Sequence, residues 1–215
     1  MRILIVPAIA VFLGFLIGGC KSSGGAKLFC DTTCLKDTLK FTGESKLKPY
    51  VYITVRNCQP DSIIWSYDGM ESDRKTKFDY SEAKMNKNFV RCLFKETSFA
   101  YILFNDCVTG RGFQIKLPYD KQESFVMKTS GINNIDPKFS VSDNLIAYTD
   151  RGNIFVEDIN TGKKALMTFG EKLDIDYDAI HEYIDSVNIT NSRIWVKVKV
   201  KDGWKELEKK NVTFE

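Results

Sequence analysis

The sequence predicts an all-β protein, and three observations point to that class. Short segments rich in β-branched and aromatic residues recur from Tyr50 onward, glycine-containing turn pairs separate them, and apolar residues rarely repeat at helical spacing. The composition fits a folded domain that is not a polytopic membrane protein, because 43% of the 215 residues are hydrophobic and 27% are charged. A net charge of +3 gives no reason to expect a nucleic-acid partner.

The predicted strands follow one another along the chain. They are residues 50–56, 62–67, 98–105, 113–117, 145–149, 153–158 and 193–200. The last is the clearest, because Ile194, Val196 and Val198 alternate with polar residues and therefore share one face. The Asp202-Gly203 pair then predicts a hairpin that returns the chain through residues 204–207. Only residues 178–185 have the spacing of one short helix or turn.

The first twenty residues resemble a bacterial lipoprotein signal. Arg2 is the only charge before an apolar run that ends at Ile17. That run is too short for a lasting transmembrane helix, and its charged start and small terminal residues are typical of a secretory signal peptide. Ile17-Gly18-Gly19-Cys20 resembles a lipobox, which implies cleavage before Cys20 and attachment of diacylglycerol to its thiol. The alternative is an ordinary cleaved signal with an unrelated cysteine.

This resemblance divides the chain into three parts: a cleaved signal peptide at 1–19, a lipidated cysteine with a flexible tether at 20–29, and an all-β domain at 30–215. The Gly/Ser-rich segment after Cys20 spans about 15 Å, so we expect the domain to lie close to the bilayer. The resemblance also implies a location in the cell envelope. Lys21 follows the lipidated cysteine where an inner-membrane signal has Asp, which favours the outer membrane.

Five further cysteines are candidates for disulfides in an oxidising envelope. They are Cys30, Cys34, Cys58, Cys92 and Cys107. Five thiols allow two bridges at most, and the sequence leaves the pairing open. The Cys30/Cys34 spacing also occurs in copper-chaperone domains, but those have a thioredoxin-like fold whose helices are not predicted here. Structural or unpaired cysteines are therefore expected.

Residues 136–169 resemble one blade of a TolB-like or WD-repeat-like β-propeller. Pro137 and Phe139 open this unit, two strands follow, and Asp158 and the Thr161-Gly162 turn precede its last strand. The unit departs from the family pattern at residues 141–144, where such repeats commonly have Pro-Asp-Gly. The resemblance implies a blade-like antiparallel sheet for about a sixth of the chain.

The spacing of the strand centres extends this hypothesis to the whole domain. Tyr52, Tyr101, Ala147 and Trp195 are separated by 49, 46 and 48 residues, and propeller blades repeat at about 40–50 residues. We therefore expect four blade-like antiparallel units, forming a small or partial β-propeller. The alternative is an Ig-like β-sandwich followed by a β-meander domain, which the positions of Cys58, Trp65 and Cys107 loosely suggest.

One acidic segment could bind calcium. Its candidate ligands occupy positions 1, 3, 5, 9 and 12 of a calcium-loop template: Asp174, Asp176, Asp178, Glu182 and Asp185. Ala179 stands where the template has a turn glycine. The segment is therefore either a loose calcium site or a solvent-exposed strand or loop. His181, the one histidine of the chain, lies in the same segment, and an isolated histidine is usually structural.

The sequence predicts a binding function without catalysis. It contains no nucleophile-elbow, zinc-protease or phosphate-loop motif, so no catalytic residue is assigned. The first hypothesis is a non-enzymatic envelope lipoprotein that is held at the membrane by its lipid and binds an envelope protein or glycan. The alternatives are an envelope glycan hydrolase that uses paired carboxylates and a calcium-stabilised adhesion or assembly subunit.

Overall fold

The computed structural model describes residues 31–79, 83–169 and 172–215. In these residues, sixteen strands form four sheets of four strands each. Sheet A contains β1 (Leu39–Thr42), β2 (Tyr50–Arg56), β3 (Gln59–Ser66) and β4 (Arg74–Lys77). Sheet B contains β5 (Met85–Lys95), β6 (Phe99–Asp106), β7 (Gly112–Pro118) and β8 (Val126–Lys128). Sheet C contains β9 (Gly131–Ile132), β11 (Leu145–Asp150), β12 (Asn153–Asp158) and β13 (Lys164–Met167), and sheet D contains β10 (Phe139–Val141), β14 (Ile184–Ile189), β15 (Arg193–Val200) and β16 (Gly203–Lys210).

Sheets A and B are antiparallel meanders, whereas sheets C and D exchange strands along the chain. After β9 has joined sheet C, β10 crosses to sheet D and pairs in parallel with β14, and β11 then returns to sheet C. The other pairs of sheet D, β14–β15 and β15–β16, are antiparallel as expected, and the β10–β14 pair is the exception. A parallel pair needs a long crossover, and the whole of β11–β13 supplies it. The predicted unit at 136–169 is consequently divided between two sheets.

The all-β prediction is confirmed, and so is the number of units. The four strand centres Tyr52, Tyr101, Ala147 and Trp195 each lie in a different sheet, on β2, β6, β11 and β15. The turn between β11 and β12 shows how local sequence sets this pairing. Arg151 and Gly152 both have positive φ angles, 46° and 78°, as a two-residue hairpin turn requires.

Sheets B and C form the interior of the stack. On β6, Ala100, Ile102 and Phe104 belong to the large cluster shared with sheet A, whereas Tyr101 and Leu103 contact sheet C. Strand β11 is likewise buried on both faces. Continuous apolar runs such as the one in β6 are expected wherever a strand is covered on both sides.

Sheets A and D form the two ends of the stack. On β15, Ile194 and Val196 are buried against sheet C, while Trp195 and Lys197 occupy the opposite, partly exposed face. A closed propeller would have to bury this charged face against the outer face of sheet A. No sheet in the described part of the chain closes into a barrel, and no apolar cluster there joins sheet D to sheet A, so the four sheets form an open stack in the order A, B, C, D.

The junction of sheets B and C is polar at its centre. The buried amide of Asn133 donates to the Phe104 carbonyl at 2.9 Å and to Asn105 Oδ1 at 3.0 Å, and it accepts from Gln114 Nε2 at 3.1 Å. The backbones also approach closely, since a Cβ added to Gly112 would lie 2.0 Å from the Gly131 carbonyl oxygen. Hydrogen bonds and close backbone contact therefore join the two inner sheets, beside only a small apolar cluster.

A disulfide between Cys34 and Cys107 ties the beginning of the described chain to sheet B. The segment around Cys34 also pairs with the start of β5, where Leu35 N donates to the Met85 carbonyl at 2.8 Å. No helix in the described residues is both long and apolar enough to span a membrane.

Candidate functional site

Two clefts flank the junction of sheets B and C. The first, named here the lysine cleft, has a volume of about 270 Å³ and is defined by Tyr101, Lys116, Lys128, Tyr148, Glu157 and Lys164. The second, the histidine cleft, has a volume of about 410 Å³ and is defined by Arg111, Asp136, Lys138, His181 and Glu182.

The floor of the lysine cleft is a hydrogen bond between the two inner sheets. Tyr101 on β6 donates its hydroxyl proton to Glu157 Oε1 on β12, with the two oxygens 3.0 Å apart in a buried setting. Lys164 Nζ lies 3.7 Å from the other carboxylate oxygen. Burial, followed by the nearby Glu157 carboxylate, raises the pKa of Tyr101. Tyr101 therefore remains a neutral donor, and Glu157 has two partners that compensate its burial.

Two further ammonium groups lie along the walls of the lysine cleft. Lys116 Nζ is 4.4 Å from the ring centroid of Phe99, and Lys128 Nζ is 4.6 Å from that of Tyr148. Contacts of this kind hold an ammonium group in place without neutralising its charge. Burial is the main cause that raises the pKa of Tyr148, so this phenol is neutral too. The six residues that define the cleft thus have three positive charges and one negative charge.

Gln114 gives the lysine cleft an acceptor that no other described residue uses. The side-chain nitrogen of Gln114 donates to Asn133 Oδ1 and to the Ala147 carbonyl, at 3.1 and 2.7 Å. Its Oε1 is buried and has no hydrogen-bond partner among the described residues. A buried acceptor of this kind costs about 1–3 kcal/mol when it is unsatisfied. A donor that enters the lysine cleft would remove this penalty.

The histidine cleft lies where the turn before β7, strand β9 and the 3₁₀ turn Ile180–Glu182 meet. His181 Nε2 is 3.8 Å from Glu182 Oε1, and His181 Nδ1 is buried without a partner among the described residues. Arg111 and Lys138 are matched in number by Asp136 and Glu182. The histidine cleft therefore has balanced charge, in contrast to the lysine cleft.

The environment of His181 predicts a pH dependence of stability. Burial, and then the charge of Arg111, lower its pKa below the ordinary value of 6.5. Below about pH 6.5 the unfolded chain therefore binds a proton that the folded chain resists, so the free energy of unfolding should fall as the pH falls. Urea unfolding between about pH 7 and 5 should show this loss, and His181→Gln should flatten it. An equal slope in wild type and variant would contradict the assignment, because the sequence has no other histidine.

The structure does not bring the five predicted calcium ligands together. Asp176 Oδ1 accepts a hydrogen bond from the Asp178 backbone at 2.9 Å, and Asp185 Oδ2 accepts from Ser186 and lies 3.9 Å from Lys197 Nζ. In residues 31–79, 83–169 and 172–215, no group of three or more His, Cys, Asp or Glu side chains is placed to hold a metal ion. The calcium interpretation, which also included Asp174 and Glu182, stays a prediction.

Three of the described cysteines are in disulfides and one is a free thiol. Cys34 pairs with Cys107, Cys58 is also disulfide-bonded, and Cys92 is free. Burial raises the pKa of the Cys92 thiol, so it is not activated as a nucleophile. Cys30 and the predicted lipidation site Cys20 lie outside the described residues.

Comparison with protein-family models and with curated proteins finds no match for this chain. Sequence reasoning missed the lysine cleft because its residues are scattered over β6, β7, β8, β11, β12 and the start of β13. The available signals were Lys116, whose charge lies between Ile115 and Leu117, and Glu157, whose charge follows the apolar run of β12.

Proposed function

We propose that this chain is a cell-envelope lipoprotein, anchored through Cys20, whose four-sheet domain binds an envelope protein or glycan without chemical conversion. The lysine cleft carries the proposal. Its side chains come from both inner sheets, it has an excess of positive charge, and Gln114 gives it an acceptor that has no partner in the part of the chain that the structure describes. Ligand sites commonly combine an apolar wall with a few oriented polar groups of this kind.

The position of the Cys34–Cys107 bridge supports a lysine cleft that stays accessible on a membrane-anchored domain. The bridge holds the beginning of the domain at one end of sheet B, next to the turn that lines the histidine cleft. Tyr101 lies five residues from Asp106 along β6, which corresponds to about 16 Å. A tether that reaches the domain at the disulfide would therefore leave the lysine cleft on the part of sheet B that is farther from the bilayer.

We further infer that the four sheets are blade-like units of a partial propeller. The support is that each sheet has four strands and that successive sheets stack face to face. The alternative, an Ig-like β-sandwich followed by a β-meander domain, would separate sheets A and B from sheets C and D. The Tyr101–Glu157 bond and the Asn133 network, which join B to C, favour a continuous stack.

The lysine cleft supports binding over glycan hydrolysis. Glycosidases use two carboxyl groups on either side of the scissile bond. Among the described residues that line the lysine cleft, Glu157 is the one carboxylate, and it is engaged by Tyr101 and Lys164. A binding module needs no second acid and no activated nucleophile.

Photo-crosslinking in intact cells tests the proposed function. A benzophenone amino acid replaces Val126, which lines the lysine cleft and is 48% exposed, and a matched variant has it at the exposed Lys75 on β4. We expect one discrete adduct from position 126 and none from position 75. Cys20→Ala should abolish both acyl labelling and the adduct. Equal adducts at the two positions, or acyl labelling that survives Cys20→Ala, would overturn the proposal.

A further inference from the structure

We propose that the lysine cleft binds an acidic saccharide unit, a sugar ring that has a carboxylate and free hydroxyl groups. This inference rests on the proposed binding function and specifies its ligand. It follows from three properties of the lysine cleft: its charge, its unused acceptor and its size.

The charge selects an anion. Lys164 is paired with Glu157, whereas Lys116 and Lys128 face only aromatic rings among the contacts described for their ammonium groups. These two charges come from adjacent strands of sheet B, since β7 pairs with β8 and Lys116 lies opposite Val126. A carboxylate that enters between them gains two charge-assisted hydrogen bonds. A neutral ligand would leave both ammonium groups uncompensated.

The polar groups select a hydroxylated ligand. Gln114 Oε1 can accept a hydrogen bond but cannot donate one, so its complement is an O–H or N–H group. The Tyr101 hydroxyl donates to Glu157, and its oxygen keeps a lone pair for a second donor. A sugar ring presents several hydroxyl donors beside its carboxylate. A simple organic anion without hydroxyl groups would leave the buried Gln114 acceptor unsatisfied, at an energetic cost.

The size limits the ligand to a short unit. A volume of about 270 Å³ is slightly below the usual range for small-molecule pockets, which starts near about 300 Å³. One ring fits such a space. Val126 at the margin is half exposed, so neighbouring sugars of a longer glycan would extend into solvent there.

Calorimetric titration of the full-length protein in detergent tests the inference with three probes. They are D-glucuronate, neutral D-glucose and cyclohexanecarboxylate, which has the charge without the hydroxyl groups. We expect D-glucuronate to bind at least about tenfold more tightly than either of the others. Equal affinity for all three, or no affinity for D-glucuronate, would overturn the inference.

A matched pair of double variants locates the binding. Lys116→Gln with Lys128→Gln removes two charges from the cleft, and Lys75→Gln with Lys77→Gln removes two exposed charges from β4. The first pair should weaken D-glucuronate binding by about tenfold or more, and the second should change it by less than about twofold. Equal losses in the two pairs would show non-specific attraction and overturn the inference.

The photo-crosslinking result separates this inference from the function on which it rests. If D-glucuronate does not bind but a discrete adduct forms at position 126, the ligand class is wrong and the proposed function stands. If no adduct forms at position 126 either, the proposed function and this inference both fail. A glucuronate-terminated disaccharide extends the titration: binding at least as tight as that of the monosaccharide supports a glycan end as the natural source, and loss of binding contradicts it.

Discussion

Replacement of both Cys34 and Cys107 by alanine should lower the free energy of unfolding by about 4 kcal/mol. The two residues are 73 positions apart in the sequence, so the bridge closes a large loop in the unfolded chain. It also holds the first described residues against β5, where they pair with the chain around Met85. Urea unfolding without reductant, followed by circular dichroism, measures the effect.

Cys92→Ala provides the control for this prediction. Cys92 is a free, partly buried thiol on β5 of the same sheet, so its replacement removes little volume and no cross-link. We expect a loss of about 1 kcal/mol or less. If the double variant loses no more stability than Cys92→Ala, the bridge does not stabilise the fold in the way described here.

Asn133→Ala should destabilise the protein by about 4 kcal/mol, because several buried groups lose their partners together. The Asn133 side chain is 1% exposed and hydrogen-bonds to the Phe104 and Phe113 carbonyls, to Asn105 Oδ1 and to Gln114 Nε2. Alanine leaves these groups buried and unpaired at the junction of sheets B and C. Chemical unfolding monitored by tryptophan fluorescence measures the change.

The neighbouring Asn134 is a matched control for Asn133. Its side chain is only partly buried and makes long contacts of 3.4 Å to Arg91 and to the Val141 carbonyl. We expect Asn134→Ala to cost about 1 kcal/mol or less. Comparable losses at positions 133 and 134 would mean that the amide network does not join the inner sheets.

Much of the fold could be predicted from local patterns. The alternation in β15 and the apolar run in β6 are properties of single strands, so periodicity finds both. The exchange between sheets C and D could not be predicted in this way. β10 has three residues and no distinct pattern, and its parallel partner β14 begins more than forty residues later in the chain. Whether the four sheets close into a ring was equally beyond local patterns, because closure depends on whether two distant outer faces can be buried together.

Local patterns predict the candidate sites even less well than the fold, because the sites depend on contacts between distant parts of the chain. The acidic spacing from Asp174 to Asp185 suggested convergence, but the side chains take local partners such as Ser186 and Lys197. The lysine cleft has no sequence motif, because strands of two sheets supply its groups. Glu157 was visible only as a charge in a strand, and its partner Tyr101 is 56 residues away.

Hydrogen exchange of the full-length protein in native membrane vesicles, compared with the purified protein in detergent, tests the central claim most directly. The claim is that the lysine cleft is the binding site of a membrane-anchored module. We expect slower exchange in the vesicles for β7, β8 and β12, and equal exchange in the two samples for β1 and β4. Unchanged exchange around the lysine cleft, or protection confined to the outer faces of sheets A and D, would contradict the claim.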